Sequence, residues 1–290
     1  MRQKYIDMRK LKWWQQLLYQ LGFVLIALFV IVPVWGMAQM AFDGSLSGWP
    51  LQFRLWPREF TLDVFRAVWE RPAQTLSFLG ALKNSLIVAG GAAVIAVAFG
   101  SSMAYAFARF RFPGRQIGLF ALLLGALLPA VALMTPLYVM LSAIGLRTTL
   151  FGMMIVYAAI SMPLCVWNMR AAFQAVPKEL EEAAFIDGAS AWQTYWRVTL
   201  RLALPSIGVA ALIAFLIGYS EFAIGWLFVD KPNNVTLAMA ISGMQSQISY
   251  AGSWSNLAAA AIMMSVPVVI VFIVLQRYLL RGSLFGAVEE

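Results

Sequence analysis

Long stretches without a formal charge dominate the 290-residue chain. A helix needs about 20 apolar residues to cross the roughly 30 Å hydrocarbon layer of a bilayer. Six stretches meet that requirement: residues 17–40, 85–108, 117–141, 150–169, 204–229 and 257–276. Within those limits the one acidic or basic residue is Glu221. The pattern predicts an all-α membrane protein with six transmembrane helices. Its first stretch is too long for a secretory leader and lacks a small-residue cleavage pattern, so it is expected to persist as a helix. Pro33, Pro129, Pro136, Pro163 and Pro267 fall inside the stretches, and each removes a backbone hydrogen bond and can kink its helix. Gly90, Gly91, Gly100 and Gly125 permit close helix approach.

Composition agrees with this pattern. Hydrophobic residues make up 62% of the chain and charged ones 12%, against about 45–50% and 25% in soluble domains. The net charge of +8 would suggest nucleic acid in a soluble protein. Here the basic residues sort by side instead. Two-thirds of the 21 Lys and Arg lie in the amino-terminal stretch (Arg2, Lys4, Arg9, Lys10, Lys12), in the loops holding Arg109, Arg111, Arg115 and Arg170, Lys178, Arg197, Arg201, and in the tail (Arg277, Arg281). Cytoplasmic loops collect such residues, so both termini are expected inside, and no nucleic acid is expected as a partner. Trp49, Trp56 and Trp69 in the first outer loop suit the membrane–water boundary. Histidine is absent, which excludes a Ser-His-Asp triad and an imidazole metal site. The one cysteine, Cys165, sits in an apolar run and reads as a small buried side chain. No G-x-x-x-x-G-K-[ST] phosphate loop occurs, so the chain itself is not expected to hydrolyse ATP by that route. Neither a catalytic residue, a cofactor nor a metal is expected.

The inner loop at 170–203 carries the most information. Pro177 suits the first position of a helix, and Glu179, Glu181 and Glu182 complement the positive end of its dipole. The pair Asp187-Gly188 signals a stop after two or three turns, and Ser190 can cap a second helix running from Ala191 toward Leu204. So short a helix is marginal alone in water. Its Leu180, Ala183, Ala184 and Phe185 fit either a groove on a partner or the surface of the lipid.

Several motifs then coincide. Glu182-Ala-Ala-Phe-Ile-Asp-Gly-Ala189, with Leu200 and Pro205 after it, resembles the EAA loop of bacterial ABC-importer permeases. Leu82-Lys-Asn-Ser85, Ala104-Tyr-Ala106, Arg109-Phe-Arg-Phe-Pro-Gly114, Pro136-Leu-Tyr138, Gly145-Leu146, Gln276-Arg-Tyr-Leu279 and Arg281-Gly282 resemble the carbohydrate branch. The likeness is nearest to the second permease subunit of maltose-type transporters and runs from about Leu17 to Gly286. It implies a type I ABC-importer permease fold, and a coupling helix, Glu179 to Ile186, seated in a cleft of a cytoplasmic ATPase subunit. Ala183, Ala184, Gly188 and Ala189 would allow the close fit, and Glu182 and Asp187 would supply polar contacts or caps. The implied partners are a second permease subunit, two ATPase subunits, an extracytoplasmic solute-binding protein and a sugar. The chain would divide into an inner segment (1–16), a first helix (17–40), an outer loop (41–81), a permease core (82–276) and an inner tail (277–290). Two positions depart from the family pattern: Arg201 stands where a proline is usual, and the chain ends Val288-Glu-Glu290 in place of a basic Lys-Gly.

Glu221 lies in Tyr219-Ser220-Glu221-Phe222, about 26 Å along a helix from Leu204 at roughly 1.5 Å per residue, hence near the outer boundary. Two readings stand: a carboxylate that reaches outer water or fixes packing, and one that lines a passage with Tyr219 and Ser220. The polar outer loop 230–256 would, by the resemblance, contact the binding protein, with Gln245, Ser249 and Tyr250 as candidates; Trp254 and Asn256 suit either a sugar or an ordinary loop. A sugar or oligosaccharide is the expected cargo, with a sugar-related solute such as glycerol phosphate as the alternative, and the sequence does not identify which. A stand-alone secondary transporter is disfavoured because buried charge is almost lacking. An intramembrane hydrolase lacks histidine and paired intramembrane aspartates.

Overall fold

A computed structural model describes residues 12–46, 54–72, 76–248 and 254–285. The basic cluster at 2–10, Trp49, Ser249, Tyr250 and the end at 288–290 lie outside these residues. Helix α1 (Trp13–Ala41) is followed by the outer α2 (Asp63–Glu70) and the membrane helix α3 (Phe78–Arg109). Then come α4 (Arg115–Leu127), α5 (Ala130–Ala143), α6 (Leu150–Ala175) and the short α7 (Lys178–Ile186). A second inner segment joins α8 (Ala191–Thr194), a π-helical turn (Tyr195–Thr199) and α9 (Leu200–Leu202). The chain finishes with α10 (Leu204–Ser220), α11 (Ala223–Phe228), α12 (Leu237–Ile248) and α13 (Trp254–Phe285).

Among the described residues, α1, α3, α6 and α13 are each long and apolar enough to cross a membrane unbroken. Two further spans are bent, so the expected six are reached only by counting each bent pair as one. The single helix expected at 117–141 is two helices meeting at 103°. Its break falls at Leu128-Pro129, because the proline ring disfavours helical backbone at the preceding residue and Pro129 brings no N–H of its own. A second bend, of 78°, sits at Ala203 just before Leu204-Pro205. In contrast, Pro33, Pro136, Pro163 and Pro267 lie within continuous helices.

Other boundaries also shift. The span expected at 204–229 stops at Ser220, Glu221 leaves helical geometry, and α11 continues as a separate short helix. The outer stretch 230–256, expected as a loop, contains the twelve-residue α12, whose first turn, Leu237 to Ala240, is buried. Pro177 sits one residue ahead of its expected place, as the N-cap of α7.

Helices α3, α6 and α10 form the core. Without a hydrophobic drive between helices in lipid, close backbone approach through small residues holds such a bundle together. Ala89, Ala92, Ala96, Ala210 and Ala214 are fully buried there. At Gly218 a Cβ would lie 3.2 Å from the Ala89 Cα, so α10 rests almost on the α3 backbone. Helix α1 packs against α13 and otherwise exposes its apolar surface.

The outer ends are fastened by backbone polar groups. The buried Asp43 carboxylate accepts hydrogen bonds from Ser45 N and Oγ (3.0 and 2.6 Å), Arg58 N (3.1 Å) and Glu59 N (3.4 Å). Its own carbonyl accepts from Ser255 Oγ, which ties this corner to α13. On α3, Asn84 Nδ2 donates to the carbonyls of Asn233 (2.7 Å) and Val235 (2.9 Å). Ser85 Oγ accepts from Leu237 N at 2.8 Å, at the start of α12.

Candidate coupling site

Helix α7 ends in a Schellman motif. Ala189 N donates to Ala184 O at 2.9 Å and Gly188 N to Phe185 O at 3.0 Å, the paired bonds that satisfy terminal carbonyls when the next residue turns left-handed. Gly188 makes that turn with φ +85°, a conformation that side chains with a Cβ resist. Ser190 then caps α8 reciprocally: its hydroxyl accepts from Gln193 N at 3.3 Å, and Gln193 Oε1 accepts from Ser190 N at 2.9 Å. The Asp187-Gly188 stop and the Ser190 start thus fall where turn chemistry places them.

The two faces of α7 differ sharply. Inward, Glu181 is buried and pairs with Arg109 at 2.9 Å, their side chains only 9% and 7% exposed. Thr199 Oγ1, from the π-helical turn, donates to the same carboxylate oxygen at 2.7 Å. Arg109 also donates through Nη2 to the Val176 carbonyl at 2.7 Å. One ion pair therefore joins the inner ends of α3 and α6, α7 and the segment after it. Above it, Tyr195 Oη donates to Ser101 Oγ of α3 at 2.9 Å, within a cluster of Tyr105, Phe173 and Tyr195 rings.

Outward, Glu182, Ala183 and Asp187 are exposed, Ala184 and Ala189 are half-buried, and Gly188 is open. Leu180, Phe185 and Ile186 are also exposed, Ile186 by 87%, and Trp192 and Trp196 flank them. A short helix fixed from behind, with exposed apolar side chains among charged ones in front, can enter a groove. Arg201 is exposed on α9. In sequence Glu181 is one of three carboxylates that favour the helix dipole; its buried partner, Arg109, lies 72 residues away.

At the other candidate position the residues are tied to backbone. The Glu221 carboxylate accepts from Ile224 N (2.9 Å) and Gly225 N (3.2 Å) and so caps α11 where α10 stops. Tyr219 is buried and donates to Met264 O at 3.0 Å, and the exposed Ser220 donates to Leu216 O at 2.6 Å. Of the candidate outer contacts, Gln245 is exposed on α12. Trp254 and Asn256 begin α13 and are half-buried.

The described residues thus form a multi-span helical protein that displays a short helix, held by a buried ion pair, between two bent spans. The chain belongs to the family described as binding-protein-dependent transport system inner membrane component, which matches residues 96–283. Among particular relatives, the trehalose transport system permease protein SugB of Mycobacterium tuberculosis is 30% identical over 81% of this chain and 85% of its own length. The maltose/maltodextrin transport system permease protein MalG of Escherichia coli is 34% identical over 72% of this chain and 71% of its own. The trehalose/maltose transport system permease protein MalG of Thermococcus litoralis is 30% identical over 95% and 97%. In fold, the chain matches one from the crystal structure of a bacterial ABC transporter involved in the import of the acidic polysaccharide alginate. That match has a TM-score of 0.73 over 92% of this chain and 98% of the other, at 20% identity.

Proposed function

We propose that this chain is one of two permease subunits of an ATP-driven importer for a carbohydrate, with both termini in the cytoplasm and no catalysis of its own. Two ATPase subunits hydrolyse ATP below it, and a solute-binding protein delivers sugar from outside. Helix α7 is the coupling element: Glu182, Ala183, Ala184, Asp187, Gly188 and Ala189 meet a cleft of the ATPase, whose movements rock the bundle between inward- and outward-facing states. The observation that carries this reading is the division of α7, anchored by a buried ion pair on one side and open on the other, where Leu180, Ala183, Phe185 and Ile186 stand exposed beside the charged Glu182 and Asp187. In this reading Gln245, Ser249 and Tyr250 are the candidates for contact with the binding protein. Relatives named for trehalose and maltose support a sugar cargo.

The test is purification of the chain co-expressed with candidate ATPase and partner permease subunits, followed by ATP-driven uptake of radiolabelled trehalose and maltose into proteoliposomes. The ATPase is expected to co-purify. A Gly188→Trp chain is expected to insert but to lose ATPase association or at least ten-fold of uptake. Normal association and uptake by that variant would remove α7 from the coupling role.

A further inference from the structure

Helix α3 differs from the other long helices. α1, α6 and α13 carry the internal prolines Pro33, Pro163 and Pro267, whereas α3 runs 32 residues without one. Each internal proline removes a rung of the hydrogen-bond ladder and gives a helix a place to bend. The ladder of α3 has no proline gap, and it stays helical through Gly90-Gly91 and Gly100-Ser101-Ser102, the other places where a helix can bend. Its length is also braced sideways, since Val88, Ala89, Ala92, Ala96 and Ala104 are fully buried in the core it forms with α6 and α10.

Buried polar bonds attach this unbroken helix at both ends. At the inner end Arg109 holds Glu181 of α7, and Ser101 holds Tyr195 of the π-helical turn. At the outer end Asn84 holds the carbonyls of Asn233 and Val235, and Ser85 holds the amide that opens α12. Asn84 and Arg109 are about 38 Å apart along the axis at roughly 1.5 Å per residue. Contacts between alanine and glycine surfaces can slide past one another, but a buried donor torn from its acceptor pays the full desolvation penalty. The segments bonded to α3 therefore travel with it.

We infer that α3 is the transmission strut of the permease. Displacement of α7 enters through Arg109–Glu181 and Ser101–Tyr195 and leaves through Asn84 and Ser85, which carry it to α12 on the outer face. This rests on α7 being the ATPase-coupling helix and names the residues where the stroke passes onto and off the bundle. Arg109, Glu181, Asn84 and Ser85 are positioning residues; none has to touch nucleotide or solute.

The experiment uses the assembled complex in lipid nanodiscs. Gln245 is exposed on α12 and the native thiol, Cys165, is buried, so Gln245→Cys accepts a single bimane fluorophore when the partner subunits are made cysteine-free. ATP with vanadate drives the complex into its trapped state. Trapping is expected to change the bimane emission of the labelled reference complex. Asn84→Leu and Glu181→Gln should each shrink that change at least five-fold, and the Asn84→Leu complex should keep its ATPase subunits and hydrolyse ATP within two-fold of the reference. A full emission change in either variant overturns the proposal, as does a reference label that ignores trapping. If Asn84→Leu does not assemble, Ser85→Ala decides, because it deletes one outer bond without adding bulk. A change at least halved supports the strut, and an unaltered one overturns it. Failure of the underlying reading looks different: a reference chain that never holds ATPase subunits cannot be trapped, and both proposals then fall.

Discussion

Glu181 and Glu182 are adjacent in the chain yet sit in opposite surroundings, one buried against Arg109 and the other facing outward. Removing one partner of a buried ion pair strands the other charge, at about 3–5 kcal/mol, whereas replacing both by apolar groups of similar size is often nearly neutral. Glu181→Leu is therefore expected to lower the thermal unfolding midpoint of the solubilised chain strongly, and Arg109→Met with Glu181→Leu to recover most of the loss. A paired variant no more stable than the single one would show that the stranded charge is not the cause. Asp43 gives a prediction in pH. Burial pushes its carboxyl up, but the hydrogen bonds from Ser45, Arg58 and Glu59 outweigh that and hold it below its ordinary value of 3.8. The folded form then binds a proton less readily than the unfolded one. The stabilisation is thus complete above that ordinary value and is lost as pH falls through the depressed folded one. Hydrogen-exchange protection of the Arg58 and Glu59 amides should hold near neutrality and fall in that acid range, while Asp43→Asn should show weak protection with no such step. At this scale turn chemistry was legible, since Gly188 and Ser190 announce themselves by residue type. The Glu181 pairing was not, because its partner is 72 residues away and a glutamate in a first helical turn already has a sufficient local explanation.

Apolar runs located the membrane helices but not their breaks. A run of leucines reads alike on either side of Pro129, and the sequence does not separate a proline that ends a helix from one, such as Pro163, that a continuous helix absorbs. Helix α12 was hidden for a related reason: Ser242, Gln245 and Gln247 made it look like a loop, while its buried first turn holds only four residues, Leu237 to Ala240. The packing of elements separates two glycines that look equivalent in sequence. A Cβ at Gly218 would press on the Ala89 backbone at 3.2 Å, and backbone in a packed core yields little. At Gly91 the obstacle is the Met154 side chain, whose flexible end can swing aside. Gly218→Ala is accordingly expected to cost about 1–3 kcal/mol through overpacking and to cut the yield of folded, solubilised chain. Gly91→Ala should stay within about 1 kcal/mol of the parent. Equal losses in melting temperature and yield would mean that the α3–α10 contact is no tighter than α3–α6.

For the whole molecule, the distribution of charge and the position of α7 make one joint statement about sidedness. Basic residues on short loops fix orientation through retention on the cytoplasmic side, and the loops that carry most of them include the one bearing α7. Helix α12 is joined to the opposite end of α3 through Ser85, so Gln245 and Ala183 are expected on opposite sides of the bilayer. Both side chains are exposed in the isolated chain, and the buried Cys165 stays silent toward polar thiol reagents. Gln245→Cys should react with a membrane-impermeant maleimide in spheroplasts and resist it in inside-out vesicles. Ala183→Cys should show the reverse, with one further condition that separates a docked knob from one lying on lipid. In inside-out vesicles that keep their ATPase subunits, the thiol at 183 should be shielded, and stripping those subunits should raise its labelling rate at least ten-fold. Equal labelling before and after stripping would leave α7 uncovered in the assembly, and labelling of position 245 from the cytoplasmic side would invert the membrane topology.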